Sequence, residues 1–211
     1  MADPRPAPTS DRVAEIIEVV MLSLVAILTA WSGYQGAKWG GQQAIEYATA
    51  STDRLKAEAM STHAGQVLVA DATIFTAWLQ AHDANDTSLE ARLEKRFSPE
   101  YEAAFRDWLA TDPFTDPDAP AGPAAMPGFT TAEFEQAAAL NAQASQELND
   151  GTANRETANE YIRGTVLFAS VLFLVAIAQR FTIRRIRFAA NGLAVVLLLY
   201  SIGVVISLPR I

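Results

Sequence analysis

The side chains able to do chemistry in this chain are few and far apart. His63 and His82 stand nineteen positions from each other. Neither has a second histidine or a close carboxylate pair at the i, i+4 spacing that turns two ligands toward one zinc ion. Solvated or hydrogen-bonded histidines are the expectation. Asp112, Asp116 and Asp118 offer carboxylates to calcium, but their run lacks the alternating oxygen ligands, central glycine and closing glutamate of an EF-hand. With no cysteine, disulfides, thiolate metal sites and cysteine nucleophiles are excluded. The GxSxG elbow, HExxH, the phosphate-cradling GxxxxGK[ST] and a dinucleotide-type glycine run are all missing from the sequence. These absences point away from an enzyme, and no cofactor or metal is expected.

What remains is charge and small residues placed around apolar stretches. Glu15 and Glu18 lie one turn apart just before the first such stretch, and Arg184, Arg185 and Arg187 just before the last. Ion pairing between the two groups is one reading, and an acidic ring at the mouth of an oligomeric pore is the other. Trp31, Tyr34, Gln35 and Trp39 form W-x-x-Y-Q-x-x-x-W at the far end of the first stretch. Amphipathic rings settle at headgroup level, so these residues read as an aromatic belt, or as a collar in which Gln35 meets a ligand or gates a path. Ser32, Gly36, Gly40, Ala44 and Ala48 recur at every fourth position and include one GxxxG. Removing side chains from one helix face lets another backbone approach, so this stripe is expected to pack against a helix of the same chain or of another copy.

The elements that must carry these groups follow from hydropathy. Three uncharged stretches, residues 19–37, 164–179 and 188–208, match what a helix needs to cross about 30 Å of hydrocarbon, the second with help from its apolar flanks. The first resembles a signal peptide, but Glu15 and Glu18 occupy the place of its positive end, so an uncleaved anchor is expected. The connection Arg180 to Arg187 holds four arginines in eight residues, and positive charge in a short loop marks the cytoplasmic side. Residues 38–160 hold eight Lys or Arg against twenty Asp or Glu, within a chain of net charge −8. Duplex nucleic acid is excluded as a partner for so acidic a surface.

The expected fold is therefore all-α. It comprises a disordered cytoplasmic tail (1–12), a first transmembrane helix (13–38), an acidic extracytoplasmic helical domain (39–160) with a proline-rich loop (111–129), a second span (161–183), an arginine loop (184–187) and a third span (188–208). The helix-friendly run from Asp11 to about His82 predicts one very long helix, with a break at Gly40-Gly41 as the alternative. Outside the membrane its stripes are Ala44, Ala48, Ser51, Leu55, Ala59 and then Leu68, Ala72, Phe75, Leu79. Capping boxes Thr87-x-x-Glu90 and Thr130-x-x-Glu133, and the pair Ser98-Pro99, mark three further helix starts. They predict faces of Leu89, Leu93, Phe97; of Tyr101, Phe105, Trp108; and of Phe134, Ala137, Asn141, Ala144, Leu148, with a kink or end at Asn149-Asp150-Gly151. The long first and second spanning helices then extend outward as an antiparallel pair.

WSGYQGAKWGGQQA at 31–44, RFSPEYEAAFRDWL at 96–109 and ANEYIRGTVLFASVLFL at 158–174 resemble an uncharacterised group of bacterial integral membrane proteins. The resemblance implies three spans and an extracytoplasmic helical insert, and brings no activity with it. The functional expectation is a non-enzymatic homo-oligomer in the bacterial plasma membrane, with a cation-permeable pore as its candidate activity. An accessory or sensory subunit whose outer domain binds a partner protein or ligand is the alternative. Expected partners are the lipid bilayer, further copies of the chain, and a membrane or extracytoplasmic protein.

Overall fold

The structure is a computed structural model that describes residues 9–181 and 183–211, with side chains from residue 15 onward. Most of the expected 1–12 tail lies outside the described residues. Among them every regular element is helical: α1 (Thr9–Asp83), α2 (Thr87–Glu94), α3 (Pro99–Leu109), a short 3-10 turn (Pro123–Ala125), α4 (Ala132–Ala178) and α5 (Arg184–Ser207). Segments of α1, α4 and α5 are long and apolar enough to cross a membrane. α1 and α4 run antiparallel in contact. Gly40-Gly41 does not interrupt α1, and Asn149-Asp150-Gly151 does not interrupt α4. A helical glycine costs about 1 kcal/mol against alanine, which packing of so long an element absorbs. The expected arginine loop 184–187 is instead the first turn of α5, and residues 179–183 make the connection.

The chain divides into two compact units, one of residues 1–48 and 148–211, the other of residues 49–147. In the first, the buried apolar core joins Met21 and Val25 of α1, Tyr161, Phe168, Val171 and Val175 of α4, and Ala194, Leu198 and Val205 of α5. Two glycines permit its closest approaches. A Cβ on Gly151 would stand 2.6 Å from the Tyr47 ring, and one on Gly164 would stand 2.7 Å from Val205 Cγ2 and 3.1 Å from Ser32 Oγ.

The second unit is a helical hairpin closed at one end by rings. Along α1 positions 50, 57, 64, 71, 78 and 53, 60, 67, 74, 81 are all buried or half-buried, a seven-residue repeat. α4 answers with Ala137 and Ala144 at the same period, buried like Ala50, Ala57 and Ala64 of α1. A seven-residue repeat keeps one seam facing its partner, where the 3.6-residue period of a straight helix would drift by about 20° per heptad. One expected stripe fails for a different reason. Ala44, Ala48, Ser51, Leu55 and Ala59 do share a face of α1, but it is the exposed face, and Ala50, Asp53, Ala57 and Ala64 are buried in its place. The ring-bearing faces agree better: Phe75, Phe97, Tyr101, Phe105 and Trp108 are buried together with Trp78.

Both capping boxes are displaced by one residue. Asp86, not Thr87, caps α2 by accepting from Leu89 N at 3.0 Å. Thr131, not Thr130, accepts from Phe134 N at 3.3 Å at the start of α4. The glutamates that would have closed the boxes are drawn to α1: Glu90 meets His82 Nδ1 at 3.1 Å, and Glu133 meets His63 Nδ1 at 2.8 Å. Ser98 caps α3 as its sequence predicts, with Pro99 in the first turn.

The crowding at Gly164 yields a test. Gly164→Ala should lower the stability of the solubilised bundle by about 1–3 kcal/mol. Val205→Ala in the same chain should restore most of the loss, both read from thermal unfolding in detergent.

Candidate functional sites

The first unit holds a buried ion pair at the start of α5. Glu18 accepts from Arg187 twice, Nε to Oε1 at 2.9 Å and Nη2 to Oε2 at 2.8 Å, and from Asn191 Nδ2 at 2.7 Å. This forked geometry supplies three charge-assisted hydrogen bonds to a carboxylate that is 2% exposed. Removing one partner of such a pair strands the other charge, at about 3–5 kcal/mol. Glu15 and Arg185 are exposed, and the Arg184 guanidinium lies 5.8 Å from the centre of the Phe188 ring. The five residues thus divide, with Glu18 and Arg187 forming the pair and Asn191 completing it. Asn191, a polar residue one turn beyond Arg187 in an apolar run, was the sequence signal for the third partner.

The proposed packing stripe divides too. Ser32 is buried and donates to Tyr161 O at 2.7 Å. Gly36 is buried, and its Cβ position is 3.5 Å from Ala158 O and 3.5 Å from Tyr161 Cβ. Gly40 is half-buried with nothing within 4 Å of its Cβ position, and Ala44 and Ala48 are exposed. Only the first two share the α4 contact, because steps of four walk about 40° around a helix each time.

The aromatic belt is likewise two-sided. Trp31 and Tyr34 are exposed, their ring centres 6.1 Å apart. Trp39 turns inward, its Nε1 donating to Pro209 O at 3.2 Å, and Tyr161 Oη donates to the same carbonyl at 3.0 Å. Gln35 is wholly buried, and neither its amide nitrogen nor its amide oxygen has a hydrogen-bond partner. An orphaned amide in an apolar bundle is costly, and Gln35 leaves both of its amide atoms unspent, whereas Asn191 leaves only its oxygen.

In the second unit, rings converge on α1. Phe75 meets Trp108 edge-on at 5.0 Å, and Trp78 meets Phe105 edge-on at 4.9 Å, each pair worth about 0.5–1.5 kcal/mol beyond its buried area. The polar edges of the rings are satisfied: Trp78 Nε1 donates to Glu94 at 2.9 Å, and Trp108 Nε1 to Pro120 O at 2.7 Å. His82 is stacked between Trp78 at 5.1 Å and Phe114 at 4.4 Å. Asp71 anchors the arrangement. Nearly buried, it accepts from Ser98 N at 2.9 Å and Ser98 Oγ at 2.6 Å, which ties the N-terminus of α3 to α1. It is the one Asp, Glu, Lys or Arg between Ala59 and His82. That isolation was the available signal for a charge with a structural task.

Asp112 adopts a left-handed backbone conformation, φ 58°, and Asp116 Oδ1 accepts from Asp118 N at 2.9 Å. Among the described residues no three His, Asp or Glu side chains gather as a metal site. No family model matches the chain, and neither the curated proteins nor the solved structures offer a match to it.

Two outcomes test these placements. Gly36→Leu should destabilise the solubilised protein by about 1–3 kcal/mol through overpacking, while Gly40→Leu should leave it unchanged or slightly firmer, as thermal unfolding of the two variants would register. Burial, reinforced by the Asp71 carboxylate, pushes the Tyr101 phenol up to about 12. A phenol that holds its proton more tightly when folded contributes stability that is intact below its unfolded value of 10.0 and is lost as pH rises from there toward about 12. Denaturant unfolding across that window should show the decline, and Tyr101→Phe should remove this share of it.

Proposed function

We propose that the chain is a non-enzymatic accessory subunit of the bacterial plasma membrane that holds a partner protein through the 111–129 loop. The observation that carries this reading is how firmly a proline-rich loop is set. Trp108 holds Pro120, Phe114 stacks on His82, Pro123 is buried, and the Cβ position of Gly122 is 3.1 Å from the Phe75 ring. A segment fixed in this way loses little entropy on binding. It presents a half-exposed Phe114 beside Asp112, Asp116 and Asp118, which suits a basic partner segment with an apolar tip. The four arginines between residues 180 and 187 support a cytoplasmic placement for that end and for the N-terminus, with residues 39–160 and the C-terminus on the extracytoplasmic side.

The first unit supports a lipid-facing anchor. Its exposed large side chains, such as Ile27, Val166, Phe173, Val196 and Leu199, are apolar, and Glu18 and Ser32 turn inward. One observation favours the rival reading, a cation-permeable homo-oligomer: the unpartnered Gln35 amide in the bundle.

A photo-crosslinking residue in place of Thr115, introduced in living cells, should give a discrete adduct with a different protein, and Phe114→Ala should abolish it. Vesicles reconstituted with the purified chain should pass no cations. Absence of an adduct would overturn the accessory reading, and a cation flux removed by Gln35→Leu would establish the pore in its place.

A further inference from the structure

The face of α1 turned away from α4 in the 49–147 unit has an unusual character. Residues 49–147 hold sixteen Asp or Glu against six Lys or Arg, yet a ridge along this face carries no charge for more than two heptads. It runs through Leu55, Ala59, Thr62, Gln66, Val69 and Thr73, all exposed, with Leu55 at 70% and Val69 at 68%. Their spacing alternates four and three, the same seven-residue register as the seam that meets α4. The ridge is thus a second, straight coiled-coil seam on the same helix.

The threonine at its end is already prepared for burial, as is the next threonine along α1. The Thr73 hydroxyl donates to Val69 O at 2.8 Å, and the Thr76 hydroxyl to Ala72 O at 2.9 Å. Hydroxyls bonded back into their own helix can be covered without the penalty of an orphaned donor. By contrast the exposed face of α4 in the same unit displays Glu135, Gln136, Asn141, Gln143 and Gln146.

We propose that this ridge docks a second copy of the chain, α1 beside α1 and parallel. Charge selects the occupant. Two acidic units of the same chain repel wherever carboxylates meet, and this ridge lets them touch without a like-charge pair across the seam. Copies held in one membrane share an orientation, so the pairing is parallel. In a parallel two-stranded seam the residue flanking one heptad reaches the opposite flank of the next. That rule sets Ser51 toward Lys56 and Glu58 toward His63 of the other copy, with no repulsive pair. A basic partner would gain more from the acidic surfaces elsewhere. The inference rests on α1 alone and is independent of what the 111–129 loop binds.

Because the chain lacks cysteine, single cysteines report the seam directly. In membranes under mild oxidation, Leu55→Cys, Thr62→Cys and Val69→Cys should each link two copies of the chain. Gln143→Cys on α4 should link at least tenfold more slowly. The solubilised full chain should have twice the single-chain mass, falling to once in Val69→Glu and, as a second variant, in Gln66→Glu, with helix content retained. Gln143→Glu should leave the mass doubled. Linking no faster at 55, 62 and 69 than at 143, or a single-chain mass for the unaltered protein, would overturn the proposal. So would linkage of these cysteines to a different protein.

Discussion

Close approach of two antiparallel helices is the constraint from which the rest of the protein follows. Ala50, Ala57 and Ala64 on one helix and Ala137 and Ala144 on the other are buried small residues, which let the two backbones come close. Small side chains contribute little transfer free energy each, so a seam of this kind relies on dispersion between backbones and on length. It also tolerates no slippage, since a larger residue rotated into the interface would force the pair open. The fixed register then dictates which residues face a neighbour and which face away.

The two compact units use different chemistry to stop their helices from sliding. Rings dominate the 49–147 unit, where Trp78 and Trp108 supply bulk together with satisfied N–H groups, and a single carboxylate at Asp71 ties α3 to α1. In the other unit, polar pairs are folded inward. The Glu18 pair joins α1 to α5, and a single carbonyl of Pro209 receives both Trp39 and Tyr161. Apolar packing alone gives weak directional preference between helices in lipid, so such bonds set the rotation of each helix.

Helix identity and span were legible in the sequence because they rest on long-range averages: hydropathy over about twenty residues, and the absence of proline between Pro8 and Pro99. Faces were legible where large rings announced them, as at Tyr101, Phe105 and Trp108. They were not legible along the alanine-rich part of α1, where Ala48 and Ala50 look alike and only the partner helix distinguishes them. The capping boxes misled for a related reason. Glu90 and Glu133 have the right spacing to close a box, but histidines of α1, eight and seventy residues away, compete for the same carboxylates. Of the candidate site residues, Ser32, Gly36, Glu18 and Arg187 come to lie in contacts that their types suggest, whereas the inward turn of Gln35 away from Trp31 and Tyr34 required three dimensions.

Asp71 has a consequence that begins before folding is complete. The stretch from Ala59 to His82 is otherwise uncharged and rich in alanine, valine, leucine and aromatic residues, long enough to be mistaken for a span as it leaves the ribosome. A carboxylate near the middle of such a segment costs about 2.5–3.5 kcal/mol on insertion. The same group that fastens Ser98 therefore makes this segment costlier to place in lipid than its neighbours would suggest. A single acidic side chain thus weighs against a lipid environment for the segment and fastens α3 to α1 in the finished unit.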